Sequence, residues 1–265
     1  MDQVEVKGLS IAYERVGEGP PLLLLHGYVG DGQGTWQRQI DELSDEFTVV
    51  AWDAPGSGRS SDPPESFRLP DYADCLAGFV DSLGFQRTHV AGLSFGGGLA
   101  LEFYRRHPTI PMSLVLAGAY AGWAGSLPPE VVQERLRQVL QLAALPPAKF
   151  VSAVIPTMFS ESVPAEVVAE FAENISQFHP AGLRGMARSF AEADLREVLP
   201  RIDVPTLLLY GDKDLRASLS VGEDIHAAIP ASTLVVIPGV GHVSSVEAAG
   251  RFNAEVRLFL RSAQV

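Results

Sequence analysis

Short apolar runs alternate along the chain with longer stretches whose apolar residues recur every three or four positions. The first pattern predicts strands near Val4–Val6, Ile11–Arg15, Leu22–Leu25, Thr48–Trp52, Thr88–Leu93, Ser113–Ala117, Thr206–Tyr210 and Thr233–Ile237. The second predicts helices over Trp36–Leu43, Tyr72–Leu83, Leu99–Arg106 and Val246–Leu260. Leu22–Leu25 and Leu207–Leu209 are apolar without alternation, as strands covered on both faces should be. The expected architecture is α/β: a mostly parallel, doubly wound, eight-stranded sheet covered by helices.

The rhythm breaks between Trp123 and Leu199. Only helical patterns occur there, over Glu130–Leu142, Ala148–Ile155, Ala165–Ile175 and Ala181–Ala191. Prolines at 128, 129, 146, 147, 156, 164 and 180 punctuate them, where helices start or stop. Residues 123–197 are therefore expected to form an all-helical cap inserted after the sixth strand, and residues 1–122 and 198–265 the core. Such an insert should sit over the carboxyl ends of the strands, where open α/β sheets bind ligands.

Composition adds exclusions rather than chemistry. The 265 residues are 46% hydrophobic and 20% charged, a globular balance. The formal charge of −12 disfavours nucleic acid and anionic membranes as partners. The single cysteine, Cys75, cannot form an intrachain disulfide. The N-terminus lacks a basic segment followed by a long apolar one, and the aliphatic runs are too short to span a bilayer. A cytoplasmic protein, monomeric or homodimeric, is expected.

The strongest chemical signal is Gly92-Leu93-Ser94-Phe95-Gly96, which follows a predicted strand and opens a predicted helix. That context suits the G-x-S-x-G nucleophile elbow, in which a sharp turn holds the serine out at the top of a sheet. A serine hydroxyl needs a base. Of the six histidines, only His242, in Pro238-Gly239-Val240-Gly241-His242, lies in a loop directly after the last strand. His89 begins the elbow strand, at the end opposite Ser94. His107 ends a helix, His226 and His179 suit solvated positions, and His26 suits a structural role. The base needs a carboxylate to fix its tautomer. Asp212 and Asp214 both follow the strand ending at Tyr210. Asp214 lies further into the loop and reaches better toward His242, and Asp212 is the alternative. The order Ser94, Asp214, His242 is the one expected for a strand–turn–helix serine nucleophile.

With these residues in place, the chain resembles an α/β-hydrolase over nearly its whole length. Leu25-His26-Gly27 resembles the family's oxyanion loop. Asp53-Ala54-Pro55-Gly56-Ser57-Gly58-Arg59-Ser60 resembles its D-x-P-G-x-G-x-S turn. Gly241-His242 with Glu247 and Asn253 resembles its closing segment, although Ala249 stands where proline is common. The resemblance implies an oxyanion hole built from the backbone N–H groups of Tyr28 and Phe95.

The glycine-rich loop Gly27–Gly34 lacks the G-x-G-x-x-G spacing and the lysine of a phosphate cradle, and a flexible substrate entrance is expected of it. No pattern for a metal site is present, and serine hydrolysis requires no cofactor. The insert is rich in aromatic and aliphatic residues. An apolar pocket drawing on Tyr28, Trp123, Met158 and Phe159 is expected, with no evident basic clamp, although Arg184 and Arg188 lie one helical turn apart. The expected activity is serine-dependent hydrolysis of a small apolar carboxylic ester or lactone through an acyl-enzyme. Hydrolysis of a carbon–carbon bond, cofactor-free perhydrolysis, or slow-turnover ligand reception on the same fold are the alternatives.

Overall fold

The structure, a computed structural model, describes residues 2–263. In chain order its elements are β1 (Asp2–Val6), β2 (Leu9–Val16), β3 (Pro21–Leu25), α1 (Gly32–Leu43), β4 (Thr48–Trp52), α2 (Leu69–Ser82), β5 (Thr88–Leu93), α3 (Phe95–Arg106) and β6 (Pro111–Ala117). There follow α4 (Pro129–Leu142), α5 (Pro147–Val154), α6 (Ala165–Ser176), α7 (Pro180–Glu192), β7 (Thr206–Gly211), α8 (Leu219–Ala228), β8 (Ser232–Ile237), α9 (Ser244–Glu247) and α10 (Ala249–Ser262). The eight strands form one sheet in the order β1-β2-β4-β3-β5-β6-β7-β8. Only β2 runs antiparallel to its neighbours; β3 through β8 pair in parallel.

Every residue of β4, β5 and β7 is buried, as is Leu22–Leu25 of β3, which is why Leu22–Leu25 and Leu207–Leu209 read as unbroken apolar runs. Helices α1, α9 and α10 pack together, as do α2 and α3. The strand order reverses at β3, whose neighbours are β4 and β5, so the loops leaving β3 and β5 diverge and open a crevice between them. Ser94, directly after β5, and Gly27, after β3, face each other there.

The segment between β6 and β7 contains, among the described residues, four α-helices and no strand. Prolines build its starts. Pro129, Pro147 and Pro180 occupy the first helical turn, where the missing N–H is not needed, and Pro128, Pro146 and Pro164 sit at the N-cap. Pro156 lies in a 3-10 turn, Ile155–Thr157, that ends α5. The insert grips the core closely: a Cβ on Gly98 would meet Phe190 at 2.3 Å, and one on Gly182 would meet the Gly56 carbonyl oxygen at 1.8 Å.

The closing helix expected over Val246–Leu260 is broken. Ala248, at φ −128° and ψ 44°, separates α9 from α10. The apolar spacing spans this step because both pieces bury Val246 and Phe252 against the same core.

His89 lies at the foot of β5, fully buried, with Nδ1 against the Ser113 hydroxyl at 2.7 Å. Burial, assisted by Arg87, pulls its pKa from 6.5 to about 4, so the ring is neutral in the fold. The unfolded chain binds this proton more readily. The stability His89 contributes is therefore complete above its unfolded pKa and is lost as pH falls, by about 3 kcal/mol at pH ~4. The acid limb of a urea-derived stability curve should be shallower by about that much in His89→Gln. An unchanged slope would mean that His89 is charged in the native state.

Candidate active site

Ser94 follows β5 and caps α3 with φ 55° and ψ −110°, a conformation that non-glycine residues rarely adopt. The two glycines flanking it are required by contact. A Cβ on Gly92 would lie 2.2 Å from the Gly96 carbonyl oxygen, and one on Gly96 2.2 Å from that of Leu25. The elbow is held by the Ser94 N–H donating to Ala117 at 2.8 Å and by the Gly98 N–H donating to the Ser94 carbonyl at 3.1 Å. Ser94 is 5% exposed at the start of a helix, where the backbone dipole favours developing negative charge.

Asp214 and His242 meet above the same sheet edge. His242 Nδ1 and Asp214 Oδ2 are 2.7 Å apart, and both side chains are almost completely buried. A carboxylate only accepts, so Nδ1 carries the proton and Nε2 presents a lone pair. The other carboxylate oxygen, Oδ1, accepts the backbone N–H groups of Arg216 at 2.7 Å and Ala217 at 2.9 Å. Asp212 points elsewhere: exposed, it accepts the Gly239 N–H at 2.6 Å and ties the loop after β7 to the loop after β8. The pair needs Gly118 beside it, at φ 48°, because a Cβ there would come within 3.0 Å of His242 Nδ1 and 3.3 Å of Asp214 Oδ2.

The insert fixes the histidine loop. The Met158 carbonyl accepts the His242 N–H at 2.8 Å and the Val243 N–H at 3.1 Å. Glu247 accepts the Gly241 N–H at 2.9 Å, the Ser160 N–H at 3.2 Å and the Ser160 hydroxyl. Glu247 thus joins insert and histidine loop, a role its position in the sequence did not disclose.

The loop after β3 abuts Ser94: a Cβ on Gly27 would sit 3.9 Å from Ser94 Cβ. The N–H groups of Tyr28 and Phe95 donate to no acceptor among the described residues. His26 is structural. Its Nε2 accepts the Ala54 N–H at 3.0 Å and its Nδ1 faces the Gly27 carbonyl at 2.6 Å, while burial lowers its pKa and keeps it neutral. Asp53 accepts the N–H groups of Gly32 and Arg59, both at 2.9 Å, so the turn after β4 is a brace rather than a reactive site.

The loop Gly27–Gly34 lines the inner pocket at its start and packs against the insert at its end. Asp31 caps α1 by accepting the Gly34 N–H at 2.7 Å. Gly30 and Gly34 are small because Asn174 of α6 presses on them: added Cβ atoms would lie 2.4 Å and 2.1 Å from its side chain.

Ser94 and His242 line one small inner pocket of about 20 Å³ with Gly27, Tyr28, Met158 and Phe171. Tyr28 also lines an outer cavity of about 290 Å³ with Trp123, Val139 and Val154. Phe159 lines neither; its ring packs edge-on against Phe171 at 5.3 Å. A larger hollow of about 490 Å³ beside Ala124 and Asp224 does not reach Ser94. The expectation of a pocket without a basic group does not hold. Arg216, half-buried, lines both the inner pocket and the outer cavity, and Arg135 lines the outer cavity. Arg184 and Arg188 line neither.

Known proteins share both this sequence pattern and this fold. A model of the alpha/beta hydrolase fold matches residues 20–249. The 3-oxoadipate enol-lactonase 2 of Acinetobacter baylyi is 26% identical over 98% of this chain and 96% of its own. A thermophilic esterase from Thermogutta terrifontis, solved with malate bound, superposes with a TM-score of 0.92 at 30% identity, covering 100% of both chains. The enol-lactonase of Burkholderia xenovorans LB400 gives 0.88 at 25% identity, covering 98% of this chain and 100% of that one.

Proposed function

The chain belongs to the α/β-hydrolase family and is a hydrolase, and on that premise we propose that it cleaves a carboxylic ester or lactone through an acyl-enzyme on Ser94. The observation that carries this reading is a strained Ser94 that shares one pocket with a buried His242 whose Nδ1 faces Asp214. His242 Nε2 takes the hydroxyl proton as Ser94 Oγ bonds to the carbonyl carbon. The oxyanion settles against the N–H groups of Phe95 and Tyr28, fixed before the charge appears. The tetrahedral intermediate collapses, the carbon–oxygen bond breaks, and His242 returns the proton to the leaving alcohol. Water, deprotonated by the same nitrogen, then releases the acid and regenerates Ser94.

In this reading residues 123–197 act as a cap on the core formed by 1–122 and 198–265. Met158 and Phe171 from the insert close the inner pocket, which excludes bulk water from the developing charge. Among the described residues no helix is long and apolar enough to cross a membrane.

p-Nitrophenyl acetate and butyrate should be turned over, and a fluorophosphonate should inactivate the enzyme with one label on Ser94, located by peptide mass spectrometry. Saturable ligand binding without turnover would instead favour a receptor. Inactivation with the label elsewhere would remove Ser94 as nucleophile.

A further inference from the structure

Arg216 follows the triad carboxylate by two residues, yet its side chain turns away from it. Only the Arg216 backbone N–H reaches Asp214. The guanidinium donates to Thr157 Oγ1 at 2.7 Å and to the Tyr28 hydroxyl, both neutral oxygens. Arg135, on α4, donates to the Tyr120 hydroxyl at 2.7 Å and to the Arg216 carbonyl at 2.8 Å, again neutral. Among the described residues neither arginine has a carboxylate within ion-pair distance. Most other arginines in this acidic chain are paired: Arg38, Arg68, Arg105, Arg106, Arg257 and Arg261 all meet Asp or Glu.

Both side chains are half-buried, and a partly desolvated cation without a counter-charge is costly to hold. Burial alone lowers the Arg216 pKa from 12.5 to about 10, which leaves it charged at neutral pH. Its neighbours support a cation: the guanidinium carbon lies 5.5 Å from the Tyr28 ring centroid, and that of Arg135 lies 5.5 Å from Tyr120 and 6.0 Å from Trp123. The planar fork of a guanidinium matches a carboxylate. Arg216 stands where the inner pocket holding Ser94 meets the outer cavity, and the outer cavity's remaining wall includes aliphatic Val139 and Val154.

We infer that this site takes an anionic substrate: an ester or lactone with a short aliphatic arm ending in a carboxylate. The arm lies along the outer cavity and its carboxylate pairs with Arg216, with Arg135 beside it. The inference rests on the ester or lactone hydrolysis proposed above, and adds the charge of the substrate to it.

The test compares p-nitrophenyl hydrogen adipate with neutral p-nitrophenyl hexanoate. The native enzyme should prefer the charged ester in kcat/KM by about 10- to 100-fold, the effect of a hydrogen-bonded charge pair. Arg216→Gln should lose most of that preference, chiefly through KM of the charged ester, and Arg216→Lys should restore part of it. Equal loss on both esters would make Arg216 a brace between Tyr28 and Thr157 and overturn the inference, as would absence of a preference in the native enzyme. Should Arg216→Gln fail to fold, adipate must inhibit hexanoate hydrolysis by the native enzyme competitively where 1,6-hexanediol does not; equal inhibition by both overturns the inference. If neither ester is hydrolysed, the hydrolytic reading fails. Calorimetry of adipate with the native protein then still decides the anion site, with binding in its favour and no heat against it.

Discussion

Ser94→Ala is expected to lower kcat for p-nitrophenyl esters by about 10⁴-fold or more, because no acyl-enzyme can form and only binding and the oxyanion donors remain. The fold should not notice. The hydroxyl makes no hydrogen bond within the described residues, and an alanine at this position would keep the same backbone at φ 55° with the same Cβ. The unfolding free energy should therefore stay within about 0.5 kcal/mol of the native value. Ser94→Gly separates strain from chemistry. Glycine adopts positive φ without penalty, so this variant should be equally inactive yet more stable by about 1–2 kcal/mol. Urea unfolding and an ester assay on the three proteins provide the measurement. Substantial turnover by Ser94→Ala would end the nucleophile assignment. A destabilised Ser94→Gly would mean that the elbow is not strained.

How much of this was legible in the sequence depends on how far each feature reaches along the chain. The strands and the elbow were, because Leu22–Leu25, Thr88–Leu93 and Gly92–Gly96 encode their own burial and turn. The choice of His242 followed from a loop position, and the preference for Asp214 over Asp212 from reach. Both aspartates lie in the loop after β7, but only Asp214 is turned inward, by the N–H groups of Arg216 and Ala217. The insert was visible as a loss of strand rhythm, and its proline starts marked four helices to within a residue or two. What failed was long-range. Arg216 sits in the same loop as the two aspartates, and nothing in the local sequence marks it. Its placement depends on Thr157, 59 residues away, and Tyr28, 188 away. The glycines at 30 and 34 read as flexible because their reason for being glycine, Asn174, lies on a helix far along the chain. Phe159 looked like a pocket residue because spacing cannot say which face of an aromatic-rich turn meets a neighbouring helix.

Asp214→Asn should cost about 10³- to 10⁴-fold in kcat, whereas Asp212→Asn should leave kcat within about twofold. The difference follows from hydrogen-bond polarity rather than from charge alone. Asp214 Oδ1 accepts two backbone N–H groups, from Arg216 and Ala217. An asparagine side chain must offer its carbonyl oxygen to that pair, since its NH₂ would face two donors. Its NH₂ is then forced toward His242 Nδ1, 2.7 Å away in the native site. A donor there requires Nδ1 to be the unprotonated nitrogen, so the proton moves to Nε2. The nitrogen that should accept the Ser94 proton is already occupied, and the base is lost with the geometry intact. Asp212 makes a single acceptor contact, to the Gly239 N–H. An asparagine oxygen serves it equally well, with the NH₂ left in water, so stability should change by less than about 1 kcal/mol. Steady-state kinetics of the two variants on p-nitrophenyl butyrate, with urea titrations to establish that both are folded, distinguish the roles. If Asp212→Asn proved the crippled enzyme and Asp214→Asn the active one, the carboxylate partner of His242 would have to be reassigned. Because the donors behind Asp214 dictate the flip, Asp214→Ala should be less damaging per lost contact than its polarity suggests: with no NH₂ facing it, His242 is free to populate both tautomers. An alanine variant more active than the asparagine one would trace the defect to the tautomer, and equal activity would trace it to the charge that both variants lack.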